Sequence, residues 1–286
     1  MLETPPTLTT SLEIGAGRVV LVIEYDGTRF KGWQDQHKPK VRTVQGQLQQ
    51  AVEKVANQEV ELVCAGRTDA GVHASYQVVH FDAEVTRPLR SWILGINTAL
   101  PDDITVHWAG NAPADFHARF SATARRYRYV IFNHIVRPAL YRFNVTWHHP
   151  PLDAALMHEA AQCLVGEHDF SAFRAAGCQS RSPFRYLSRI DVLREGPFVV
   201  IDVEANAFLH HMVRNIAGSL MAIGSGKEPV EWLEHALQSR DRRVAGITAP
   251  AAGLYLVDVR YPEEKSVPRP QVGPLMLTGW PTLQAD

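Results

Sequence analysis

The chain has 286 residues, 45% hydrophobic and 21% charged, with a formal net charge of −1. That length fits one large domain or two of ordinary size with ample core, and no apolar run reaches the ~18 residues of a membrane span. The near-neutral total argues against a globally basic nucleic-acid binder. Clumped arginines at 124–129, at Arg181, Arg185 and Arg189, and at 240–243 leave room for a local basic face, or for plain solvated surface. The N-terminal stretch MLETPPTLTTSLEIGAG lacks the basic head and apolar run of a secretory signal. Cys64, Cys163 and Cys178 are too scattered for a disulfide framework or a CxxC metal site, so the expected compartment is a reducing cytoplasm.

In chain order, RVVLVIEY (18–25) is an apolar strand closed by the Asp26-Gly27 turn. Thr43 caps a helix whose Val44, Leu48, Ala51, Val52 and Val55 recur at helical spacing. VELVC (60–64) and SYQVVHFD (75–82) are strands on either side of the small-residue loop CAGRTDAGVHA (64–74). Thr86 caps a second helix with Pro88 in its first turn and Leu89, Trp92, Ile93 and Ile96 on one face, and DITVHWA (103–109) alternates as a half-buried strand. The second half repeats the order. RRYRYVIF (125–132) is a strand, and 153–165 a helix with Leu156, Ala160 and Leu164 in line. A hairpin turns across Glu195-Gly196, a helix runs from Leu209 to Ile223, another covers 230–239, and GLYLVDVRY (253–261) is the last strand. Two β-α-β-β-α-β units give an α+β protein of two tandem ferredoxin-like halves whose sheets flank a central cleft. The expected divisions are an irregular segment 1–17, an N-terminal half 18–112, a C-terminal half 113–262 and a proline-rich tail 263–286.

Asp69 ends a sheet in the loop between two strands. By spacing alone it is either a turn residue accepting backbone N–H bonds or a carboxylate presented for chemistry. For chemistry it must stay ionised in a pocket, which a nearby cation such as Arg67 favours. A single carboxylate suits reaction at a sugar carbon, whereas glycosidases need an acid and a base, and the loop holds no second carboxylate. Tyr127 and Arg125 share a strand face with Tyr129, either packed in the sheet or available to stack bases and hold phosphates. Phe173 and Arg174 have the same two readings. Arg214 lies opposite the apolar stripe of its helix and can reach Asp69 only if that polar face looks across the cleft. His210 and His211 lie on the same side; adjacent histidines diverge on a helix, so no metal site is expected. With no GxxxxGK[ST] or GxGxxG motif, no nucleotide cofactor is expected either. His73 has no assigned role.

Taken in order, YDGTRFKGWQ, TVQGQLQQAV, CAGRTDAGVHA, FHARFSATARRYRY, GEHDFSAFR, CQSRSP, NAFLHHMVRNIAGSL and TAPAAGLYLVDVRY resemble the successive motifs of the bacterial tRNA pseudouridine synthase A family, from about residue 18 to 262. The resemblance implies a cofactor-free, homodimeric isomerase of the pseudouridine synthase fold. Its substrate would be tRNA, with uridine converted to pseudouridine at positions 38 to 40 of the anticodon stem-loop. It puts the family's catalytic aspartate at Asp69, its base-stacking tyrosine at Tyr127, its aspartate-pairing arginine at Arg214 and its base-opening loop arginine at Arg67. Two other classes compete: a non-catalytic tRNA-binding module, disfavoured by the intact Asp69, and a carboxylate-dependent nucleosidase, disfavoured by the missing second acid.

Overall fold

In the computed structural model the described residues are 13–35, 41–265, 267–268, 272–277 and 279–280, so most of the expected N-terminal segment and parts of the proline-rich tail lie outside them. The first half runs β1 (Glu13–Ile14), β2 (Gly17–Tyr25), α1 (Val44–Ala56), β3 (Val63–Cys64), β4 (His73–Ala83), β5 (Arg87–Pro88), α2 (Ile96–Ala99) and β6 (Ile104–Asn111). The second runs β7 (Ala124–Asn133), β8 (Thr146–His148), α3 (Ala154–Ala161), β9 (Gly166–Asp169), β10 (Phe184–Glu195), β11 (Phe198–Ala205), α4 (Met212–Gly224), α5 (Trp232–Ser239) and β12 (Leu254–Arg260).

The halves share one mixed sheet of order β6-β2-β4-β12-β7-β11-β10-β9, with β3 paired to β4 and β8 to β7. Within each half the order is that of a ferredoxin-like unit, β6-β2-β4-β3 and β12-β7-β11-β10. The units join edge to edge where β12 runs parallel to the start of β4, Tyr255 opposite His73 and Leu256 opposite Ala74. The two halves are therefore joined through one continuous sheet. The strand expected at 60–64 is shorter, Val63–Cys64. β3 occupies the edge of β4 only at Val79 and His80, and β12 takes the same edge at its other end.

Apolar periodicity decides most of the packing. Leu48, Trp92, Ile96, Met157, Ile216 and Leu220 from the helical segments join one core with the sheet. Tyr127, Tyr129 and Ile131 of β7 face this core, and Val130 faces a second, smaller one on the other side. Leu277 of the proline-rich tail is buried in that second core with Val200, Tyr255 and Val257.

Several local expectations change. Thr43 does cap α1, its hydroxyl accepting from Gly46 N at 3.3 Å. Thr86 does not cap the next helix: its hydroxyl accepts from Ala16 N, and Arg87–Pro88 pair with Glu13–Ile14. Edge pairing wins there because Pro88 fits an edge strand, and helical backbone begins at 89. Asp153 caps α3 and phases it so that Met157, Ala160 and Ala161 point inward while Leu156 faces out. The hairpin turns one residue later than expected, over Gly196-Pro197 with Glu195 opposite Phe198.

On the small-core side of β7 the arginines of ARRYRY are consumed by structure. Asp202 on β11 accepts from Arg126 Nε and Nη2, both at 2.6 Å, and from Arg128 Nε at 2.8 Å. Burial raises the Asp202 carboxyl, but these two guanidiniums outweigh it and hold it below its ordinary value of 3.8. Arg189 joins the same group, and Arg260 pairs with Glu204 at 2.7 Å. Asp202→Ala, which strands two buried guanidiniums, is expected to lower the unfolding free energy in urea by about 3–5 kcal/mol. The cluster's contribution should be complete above the ordinary carboxylate value and fade as pH falls through the lower folded value. An unchanged urea midpoint for the variant would remove the cluster from the account of stability.

Candidate active site at the seam between the halves

Residues 65–72 connect the shortened β3 to the start of β4, so the loop lies where β12 enters the sheet. It is held from both halves. Fully buried Gln77 brackets Gly66, donating to its carbonyl at 2.7 Å and accepting from its N–H at 3.4 Å. Tyr25 and Thr68 share a hydroxyl hydrogen bond of 2.7 Å, and Trp33 N donates to Thr68 O at 2.9 Å. From the second half, Arg125 Nη2 donates to Ala65 O at 3.0 Å, and the same side chain also reaches the carbonyls of Ala122 and Asn206. Gly27 permits the closest backbone approach, since a Cβ there would come within 2.0 Å of Val72 O.

His73, unassigned from sequence, is a pin across the seam. Its ring is buried, stacks on Tyr255 at 4.7 Å and donates from Nε2 to Phe143 O at 3.0 Å. Its Nδ1 accepts from Gly27 N at 3.1 Å and lies as close to Asp26 Oδ1. One side chain thus ties the turn after β2 to β12 and to the second half.

Asp69 projects toward the start of α4. His210 Nε2 lies 3.3 Å from its Oδ1 and His211 Nε2 lies 3.3 Å from its Oδ2. Arg214 Nη1 is 3.6 Å from Oδ2, so the polar face of this helix does look across at the loop. Arg214 is aimed by its own Nε, which donates to Ala249 O at 2.8 Å. The helix begins at Met212, three residues later than expected, because His211 adopts the left-handed conformation with φ 62°. That is unusual for a residue other than glycine and marks stored strain. It also removes the premise that adjacent histidines diverge: the two rings are 4.0 Å apart and both meet the same carboxylate. The donor atoms of Asp69, His210 and His211 all lie within 4.8 Å of one another. A cation shared among them would have to displace the Arg214 charge already facing Oδ2. Arginine, imidazoles and the positive end of α4 instead make this a place for an anion.

Tyr127 lies beneath the loop, its hydroxyl 3.7 Å from where a Cβ of Gly66 would project, and its ring meets Phe208 edge-on. Burial, with Asp69 nearby, pushes its phenol well above the ordinary range. Arg67 is exposed, with no hydrogen bond or ion pair among the described residues. Arg125 and Tyr129 do not form an open stacking surface: Arg125 is spent on carbonyls, and Tyr129 is buried with its hydroxyl on Thr146 and Pro250. Phe173 is also buried, its carbonyl accepting from Asn215, and Arg174 donates to the carbonyls of Cys178 and Ser180. The contact between Asp69 and Arg214 is the one that the sequence allowed. Sequence reading misses the two histidines, whose signal was their adjacency just before a helix, read there as a poor metal pair. Gln77→Leu keeps the side-chain volume but leaves both polar groups of Gly66 unpaired, a cost of about 1–3 kcal/mol. It should speed amide exchange of residues 65–72 while leaving α1 protected, and uniform protection in both would remove Gln77 as the support of the loop.

Residues 21–121 and 160–262 match a family model described as tRNA pseudouridine synthase. A protein named tRNA pseudouridine synthase A from Cronobacter sakazakii is 54% identical over 94% of this chain and 99% of its own length. The protein of that name from Pseudomonas aeruginosa is 53% identical over 98% of each chain, and that from Vibrio parahaemolyticus 56% identical over 91% of this chain and 98% of its own.

Proposed function

Since the chain belongs to the tRNA pseudouridine synthase family, we propose that it isomerises uridine to pseudouridine in the tRNA anticodon stem-loop, at positions 38 to 40, with Asp69 reacting at the sugar. The observation that carries this is the convergence of His210, His211 and Arg214 on the one carboxylate of a loop held from both halves. The reaction detaches uracil at N1, turns it and rejoins it through C5. Whether Asp69 attacks C1′ or removes a sugar proton, it must be ionised to do so. A uridine inside a stem must leave its stack to reach such a group. Tyr127 is the aromatic for the flipped base, reached once Phe208 or the loop gives way. Arg67, exposed and unpaired beside Asp69, is suited to the opened stem. Arg214 orients the carboxylate. No redox equivalent or phosphate is consumed, so the reaction requires no cofactor.

A homodimer is supported by the apolar exterior of the segment before β8, where Ile135, Val136 and Leu140 are 71%, 62% and 88% exposed and Phe143 and Trp147 lie open beside them. Isolated exposed apolar residues are ordinary, but a run of this kind marks a contact surface. A cytoplasmic location is supported by three free thiols at Cys64, Cys163 and Cys178. No helix among the described residues is long and apolar enough to cross a membrane.

With tRNA carrying tritium at uracil C5, the protein should release tritium to water, and Asp69→Asn should bind tRNA as before but release none. Robust release by that variant would sink the role of Asp69, and abasic RNA in place of pseudouridine would indicate a nucleosidase. Replacing Val136 and Leu140 together by aspartate should shift the sedimenting mass from two chains to one, and a wild-type protein that sediments as one chain would end the homodimer proposal.

A further inference from the structure

Rejoining uracil through C5 leaves a hydrogen on that carbon which must go before the product is aromatic, and some group beside C1′ must take it. We propose that His211 is that group, its Nε2 accepting the C5 proton; this rests on the proposed role of Asp69. The geometry follows from the chemistry. C5 has just bonded to C1′ of the sugar that Asp69 engages, so the base must stand within a few ångströms of the Asp69 carboxylate. His211 Nε2 is 3.3 Å from Oδ2, the oxygen that Arg214 also faces at 3.6 Å.

The step balances. The C5–H bond breaks, its electron pair becomes the C5–C6 double bond, and the N1–C6 π pair moves onto N1, which takes a proton from water. The C5 proton sits on Nε2, giving an imidazolium beside Asp69, which is a free carboxylate again once C5 has joined the sugar. The ion pair forms when the proton moves, so it stabilises the product side of the transfer rather than the resting enzyme.

Three further observations select His211. It is the less exposed of the two histidines, its side chain 28% accessible against 43% for His210. It holds the strained φ of 62° at the start of α4, and that conformation brings its ring to the carboxylate. The titratable and charged groups around it are Asp69 on the loop, His210 beside it, Arg214 on α4 and Arg242 after α5; burial, with His210, Arg214 and Arg242 close by, lowers its proton affinity against the pull of Asp69. The imidazole is thus free to accept a proton at neutral pH.

The test uses full-length protein and C5-tritiated or C5-deuterated tRNA, comparing wild type with His211→Asn and His211→Gly, both of which tolerate positive φ. Tritium release should slow by roughly 10²–10⁴-fold. A primary deuterium isotope effect at C5 should appear or grow as C5–H cleavage becomes limiting, and added imidazole should restore release in His211→Gly. His210→Asn should leave the isotope effect at its wild-type value. Slowing with an unchanged isotope effect and no imidazole rescue would make His211 merely structural and overturn the proposal, as would unimpaired release or the isotope effect appearing in His210→Asn instead. Failure of the underlying reading looks different: the wild type itself would release no tritium, or Asp69→Asn would release it freely.

Discussion

The edge of β4 is shared by strands from opposite ends of the chain, and the rest of the site depends on that division. A β3 that ran on past Cys64 would go on to cover the part of the edge that β12 takes. Because β3 leaves the edge at Cys64, β12 enters beside His73 and Ala74, and the chain from 65 to 72 arches over the junction. Asp69 sits on that arch because a hydrogen-bonded edge has room for one partner at a time. Gln77, Tyr25, Arg125 and His73 then fix the arch from below and from both sides. A carboxylate on a connection is thereby held as firmly as one on a strand.

Charge is distributed to the same end. The arginine-rich β7 suggests a basic surface, yet Arg126, Arg128 and Arg125 are tied to Asp202 or to carbonyls, and Arg260 pairs with Glu204. Buried guanidiniums of this kind are tolerated only when paired and hydrogen-bonded. Positive charge left for chemistry is concentrated instead at Arg214 and Arg67, with the imidazoles of His210 and His211 beside the same carboxylate. Such a division lets a chain of net charge −1 gather cations around one carboxylate.

Much of the fold is legible in the sequence because strands such as 18–25 and helices such as 44–56 carry their own periodicity and, at Thr43, their own cap. By spacing alone Asp69 is legible as a turn residue, and its proposed reactive role is legible only through the ordered motifs around it. What stays hidden is whatever depends on a partner distant in the chain. Thr86 has the chemistry of a cap, but the N-terminal strand claims it; Leu156 has the spacing of a core residue, but the Asp153 cap rotates it outward. His211 turns toward Asp69 through a left-handed backbone that no side-chain pattern announces. The role of His73 requires Tyr255 and Phe143, both far along the chain.

The seam also bears on how the protein is made. Because β4 pairs with β12, the N-terminal half leaves the ribosome with part of one sheet edge bare, and its partner strand begins only at Leu254. At ordinary elongation rates of 5–20 residues per second, roughly 10–40 s separate the two strands in synthesis. An apolar edge open for that long is exposed to pairing with other chains, and a contact so distant in sequence closes late and slowly. The seam beside Asp69 is therefore among the last parts of the molecule to form, and a chain stopped short of β12 lacks the strand that joins its two halves.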